Sequence, residues 1–155
     1  MPAANPRRVV EQFCTKFPDQ LVSLTRIIGD EKASQFQLKR NLKKLHEESH
    51  RLKGAAYCMG FPSIGAAFFK LEQNTQRLLE SKKDVTPQLM ERIYLDLSKV
   101  AKLRRTVAPE QSKLLQSFEN PAQQTLGDAD VAALRQLLNS QRVLFVEDDI
   151  SVRNL

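Results

Sequence analysis

The chain has two histidines, His46 and His50, and they fall one helical turn apart inside its most regular apolar pattern. Leu38, Leu42, Leu45, Ser49, Leu52, Ala56 and Met59 step by fours and threes, the period of one helix face. At 100° per residue, His50 lies roughly 130° from the centre of that stripe, so its imidazole is expected in solvent. Lys53, Gly54 and Tyr57 share the outward side. An imidazole nitrogen is a good nucleophile near neutral pH, and a neighbouring ammonium offsets the charge of an added phosphoryl group. Gly54 is unusual there, because glycine inside a helix costs about 1 kcal/mol against alanine and packs nothing. On an exposed face, the reading is that something must come close. His50, Lys53 and Gly54 therefore predict a site that carries a phosphoryl group.

A rival chemistry overlaps the same residues. His46-Glu47-Glu48-Ser49-His50 satisfies H-E-x-x-H, which on a helix turns two imidazoles to one side for Zn²⁺ with Glu47 as general base. Read literally, the chain is a zinc metallopeptidase. Against it, Glu48 and Arg51 stand where such motifs keep uncharged residues. A catalytic zinc also needs a third protein ligand and a walled cleft, and Glu72 is the one plausible candidate.

The positioning elements are helical. Val10, Phe13, Phe17, Leu21, Leu24 and Ile28 mark a first helix, with Pro18 expected to kink it or start its second half. The histidine helix is predicted from about residue 31 to about residue 59, where Gly60 and Pro62 end it. Ile64, Phe68, Leu71, Thr75 and Leu78 mark a third helix, on which Phe69 is expected to pack under the first. Thr86-Pro87 starts a fourth, with Met90, Ile93, Leu97, Val100 and Val107. Four amphipathic helices with short connections predict an all-α, antiparallel up-and-down four-helix bundle. Cys14 and Cys58 read as small core residues.

Composition narrows the function classes. The chain has 155 residues, 41% of them hydrophobic, which is enough for a packed core. No run approaches the ~18 apolar residues of a membrane span, and no apolar leader precedes the first helix. With two distant cysteines, this predicts a cytoplasmic, reduced protein with no membrane partner. The net charge of +6 is uneven: residues 1–107 hold 20 of the 24 basic and 11 of the 18 acidic residues, while 108–155 are net acidic. A basic module suggests an acidic partner surface or a nucleic acid. The run Lys39-Arg40-Asn41-Leu42-Lys43-Lys44 lacks interleaved aromatics, so nucleic acid is not expected. A basic helical binding module without chemistry remains a third class. No Gly-rich phosphate loop is present, and ATP hydrolysis is not expected.

His50-Arg-Leu-Lys53-Gly54-Ala-Ala-Tyr-Cys-Met-Gly60-Phe61, followed by Leu71-Glu72, resembles the signature of histidine-containing phosphotransfer domains of two-component phosphorelays. The resemblance covers roughly residues 7–107. It implies a non-enzymatic, monomeric phosphocarrier, with His50 phosphorylated, Lys53 the phosphate-proximal cation and Gly54 the clearance for a docking receiver domain. The implied partners are receiver domains of response regulators or hybrid histidine kinases. The domain itself would need no cofactor, with Mg²⁺ expected on the partner receiver. Two departures are Ser49, where the family usually has alanine, and a longer segment before His50.

Past residue 107 the pattern changes. Residues 108–141 read as a helical linker, with apolar clusters at Leu114, Leu115 and Phe118 and at Val131, Leu134, Leu137 and Leu138. Residues 142–155 contain Val143-Leu144-Phe145-Val146, a predicted β-strand running into Glu147-Asp148-Asp149. This resembles the first strand of a receiver domain, whose acidic pair binds Mg²⁺. Glu147 and Asp148 would hold that metal only in a complete receiver domain. The fragment is expected to be a truncated one, unable to act as a receiver.

Overall fold

A computed structural model of the chain describes residues 5–29 and 32–120. Every regular element in them is helical: α1 (Pro6–Ile28), α2 (Gln35–Cys58), α3 (Pro62–Glu80), α4 (Pro87–Leu103) and a short α5 (Lys113–Glu119), with 3-10 turns at Arg104–Thr106 and Pro109–Gln111. The predicted strand, with Glu147 and Asp148, lies outside the described residues.

Local chemistry accounts for the helix ends. Pro6, Pro62 and Pro87 occupy first turns, where a missing N–H loses nothing. Asn5 and Thr86 cap their helices through side-chain oxygens. Ser34 forms a reciprocal capping box with Gln37, which places the start of α2 at Gln35, later than the apolar pattern suggested. At the other end of α2, Gly60 adopts φ +81°. The Phe61 N–H then reaches back to the Ala56 carbonyl and the Gly60 N–H to the Tyr57 carbonyl, closing the helix in a Schellman turn. α1 runs unbroken through Pro18, because Phe17, Leu21 and Leu24 on either side are held in one core.

Consecutive long helices pack on one another, α2 against α3 most extensively. Val10, Phe17, Leu42, Leu45, Leu52, Ile64, Phe68, Leu71, Ile93 and Val100 are fully buried between them. Phe68 meets the Phe17 ring edge-on at 6.2 Å, and Phe13 stacks on Phe61 at 5.6 Å. The Tyr94 hydroxyl donates to the Ile28 carbonyl, tying α4 to the end of α1. Gln35 forms a two-way bridge to the backbone of Val85, which pins the α3–α4 connection to the start of α2.

Residues 109–119, part of the predicted linker, pack onto the helical body. The Ser112 hydroxyl donates to the Met59 carbonyl and the Lys113 N–H to the Gly60 carbonyl, while Leu115 is buried in the core. α5 is thus seated on the turn that ends α2.

Candidate functional site

The stripe of α2 places Ser49 and Leu52 in the core and carries the intervening residues outward. The His50 side chain is 66% exposed. Lys53 follows one turn later and is mostly covered. Gly54 faces solvent, and a Cβ built there would meet nothing within 4 Å. The bareness of Gly54 is therefore not required by any contact with the described residues.

α3 supplies a residue that completes the cluster. Glu72 is largely buried, and its two carboxylate oxygens are divided between the candidates. His50 Nδ1 lies 2.5 Å from Oε1, and the Lys53 ammonium donates to Oε2 at 2.6 Å. Burial by itself would raise the Glu72 carboxyl, but the hydrogen bonds from Lys53 and His50 and the charge of Lys53 outweigh it and hold the group below its ordinary value. An ionised carboxylate can only accept, so Nδ1 carries the proton. That leaves the lone pair of His50 on Nε2, facing away from Glu72.

His46 is docked on the same residue through a different atom. Its Nδ1 lies 3.3 Å from the Glu72 backbone carbonyl and 3.4 Å from the Thr75 hydroxyl oxygen. Thr75 is itself buried and bonds back to the carbonyls of Leu71 and Glu72, so this wall of α3 is rigidly built.

Two aromatic rings flank the cluster. Tyr57 is 48% exposed and lies over Gly65, where a Cβ would come within 2.7–2.8 Å of its ring. Phe69, expected to pack beneath α1, is instead 45% exposed, with the Lys53 ammonium 5.4 Å from its ring centre. Phe68 takes the core position, and one residue further along a helix turns by about 100°, out of the core. Cys58 likewise departs from expectation, being exposed near the end of α2, while Cys14 is half-buried with its thiol pushed up mainly by burial.

Among the described residues the H-E-x-x-H pair has no third metal ligand gathered beside it. Glu47 is exposed, and the Glu72 carboxylate is held by an ammonium. Among the described residues no group of three or more His, Cys, Asp or Glu side chains is gathered to hold a metal ion. Arg40, Lys43 and Lys44 of the basic run face solvent. No described helix is long and apolar enough to cross a membrane.

Sequence reasoning brought His50, Lys53 and Gly54 to one face, and they lie there. It treated Glu72 as a signature residue and a doubtful metal ligand, and missed its part in orienting the imidazole. Its signal was the acidic residue on the apolar flank of α3, an ionisable group that needs a partner when buried. A family model described as "Hpt domain" matches residues 8–142. No curated protein and no solved structure matches the chain.

Proposed function

Because the chain belongs to the Hpt domain family, and so to the histidine phosphotransfer modules of two-component phosphorelays, we propose that His50 accepts a phosphoryl group from one receiver-domain aspartate and donates it to another. The observation that carries this reading is the contact of His50 Nδ1 with the Glu72 carboxylate, which leaves Nε2 free on an exposed side chain. In the forward step the Nε2 lone pair attacks phosphorus in line, and the aspartyl oxygen leaves with the electrons of the broken P–O bond. The imidazole becomes cationic as the N–P bond forms, and Glu72, already bonded to Nδ1–H, stabilises that charge without reorganising. The return step runs through the same atoms in reverse.

Lys53 acts through Glu72. Without its ammonium, an ionised carboxylate would stand beside an incoming phosphoryl dianion; with it, the pair is neutral. Gly54 leaves the turn after His50 clear for the partner, and Tyr57 and Phe69 border the approach. The chain is then a carrier and not an enzyme, with catalysis and Mg²⁺ supplied by the partner receiver. A monomer in the cytoplasm without nucleic acid fits this role, as does an antiparallel up-and-down arrangement of α1–α4. Support for that arrangement is the packing of consecutive helices across short connections.

The test is transfer from a phosphorylated receiver domain, read by mass spectrometry under alkaline conditions. His50→Gln should abolish phosphorylation, and His46→Gln should retain most of it, with both variants folded. If His46 proves essential and His50 dispensable, the assignment of the reacting nitrogen is wrong.

A further inference from the structure

We propose that His46 and His50 together form a two-ligand site for a divalent transition-metal ion such as Zn²⁺ or Cu²⁺, and that its occupation blocks phosphorylation of His50. The blocking role rests on the function proposed above; the metal site does not.

Both imidazoles are tied down by the same residue of α3. His46 Nδ1 contacts the Glu72 carbonyl and His50 Nδ1 the Glu72 carboxylate, two groups that only accept, and the Thr75 hydroxyl near His46 Nδ1 spends its proton on the Leu71 and Glu72 carbonyls. Each ring therefore keeps its proton on Nδ1 and its lone pair on Nε2, the nitrogen on the far side of the ring from the Glu72 contact. The rings start four residues apart on one face of α2, a rise of about 6 Å, from which two imidazoles can converge on one ion. A metal-binding histidine characteristically donates its other N–H to a carbonyl or carboxylate, which sets the tautomer and makes the ligating nitrogen more basic. Here both second partners are in place on one buried residue.

The surroundings permit a cation. The Lys53 ammonium is paired with the Glu72 carboxylate at 2.6 Å, which limits its repulsion of a metal ion. Gly54 leaves the next turn open, so solvent can complete the coordination sphere. With no third His, Cys, Asp or Glu side chain gathered there among the described residues, this is a reversible binding site and not a hydrolytic zinc centre.

The blocking follows from electron accounting. A metal–nitrogen bond uses the Nε2 lone pair of His50, and so does the N–P bond of phosphohistidine. The proton on Nδ1 stays in place in either case. The two states exclude one another, and the exclusion is reciprocal: the phosphorylated chain must lose the metal as surely as the metallated chain resists phosphate.

Titration calorimetry with Zn²⁺ alone on the unphosphorylated chain should show one ion bound, weakened at least roughly tenfold in His46→Gln by loss of half the ligand set. Because the chain has only two histidines, substoichiometric Cu²⁺, the stronger binder, should broaden the ring-proton resonances of both together in the wild-type protein. Zinc at a level that saturates the wild-type site but not the weakened one should slow transfer from a phosphorylated receiver to wild type far more than to His46→Gln, which controls for zinc acting on the receiver. Equal zinc affinity in the two proteins, or broadening of one histidine only, would overturn the site. Zinc that binds as expected but slows both proteins equally, or neither, would overturn the blocking role. Absence of phosphate on His50 with no metal present would instead count against the proposed function, since the calorimetric and resonance arms use no phosphoryl donor.

Discussion

Glu72→Gln isolates the charge of the group that orients His50. The amide is nearly the same size as the carboxylate and can still accept from Nδ1–H, so the geometry of the contact is retainable. The ionised acceptor is lost. A hydrogen bond to a charged group contributes about 1.5–3 kcal/mol, against about 0.5–1.5 for a neutral pair. Glu72 is buried but the His50 side chain is 66% exposed, so solvent screening brings the difference toward the lower end of about 1–1.5 kcal/mol. That difference falls on the step in which the imidazole becomes cationic, and about 1.4 kcal/mol is tenfold in rate. The expected result is phosphorylation of His50 slowed roughly five- to tenfold, with binding of the receiver unchanged. The amide can also turn its NH₂ toward the ring, which would move the ring proton to Nε2 and slow the reaction further. Transfer rates from a phosphorylated receiver, with ¹⁵N shifts of the His50 ring as a readout of tautomer, would check both effects. Equal rates together with an unchanged tautomer would refute the role assigned to Glu72.

The same carboxyl predicts a pH dependence. Its native value is lowered from 4.5, so its contribution to stability is complete above that value and is lost as pH falls through the lowered native one. Glu72→Gln should therefore flatten the stability curve below about pH 4.5 in denaturant titrations, and an unchanged acid limb would contradict this. Gly54→Leu should gain about 0.5–1 kcal/mol of stability from helix propensity, since nothing lies near its Cβ, yet slow transfer from a receiver; transfer at the normal rate would refute the clearance argument. Ser49 is fully buried, and its hydroxyl has no hydrogen-bond partner among the described residues, so Ser49→Ala should stabilise the fold by about 1 kcal/mol in a urea melt. Gly60→Ala should destabilise by about 1–2 kcal/mol from its positive φ alone, and further because the new Cβ would strike the backbone at Lys113 and Leu114; a loss below about 0.5 kcal/mol would mean that the turn relaxes freely.

The features readable from sequence were those determined within one helix. The leucine stripe of α2 settles the azimuth of every residue on that helix, so His50 and Gly54 were bound to face outward, with Lys53 at the edge of that side where α3 covers most of it. Helix ends were legible where single residues enforce them, as at Gly60, Pro62 and Thr86-Pro87. The start of α2 was less clear, because apolar period says nothing of the Ser34–Gln37 capping box that places it. The Phe68–Phe69 pair shows the limit of period: the stripe marked Phe68 as core, but where Phe69 rests depends on what stands beside it, here Lys53 of the neighbouring helix.

What only the tertiary structure decided is the relative register of helices. Glu72 reaches His50 across 22 residues of sequence because α3 packs on α2 at one height and rotation, a choice made by burying Phe68 and Leu71 of α3 in one core with Leu45 and Leu52 of α2. The same holds for Tyr57 over Gly65 and for α5 on the Gly60 turn, two contacts made between elements. A helix period is set by backbone geometry at each residue, and is therefore local. The register between two helices is set by the sum of many side-chain contacts, each small, and no single residue announces it.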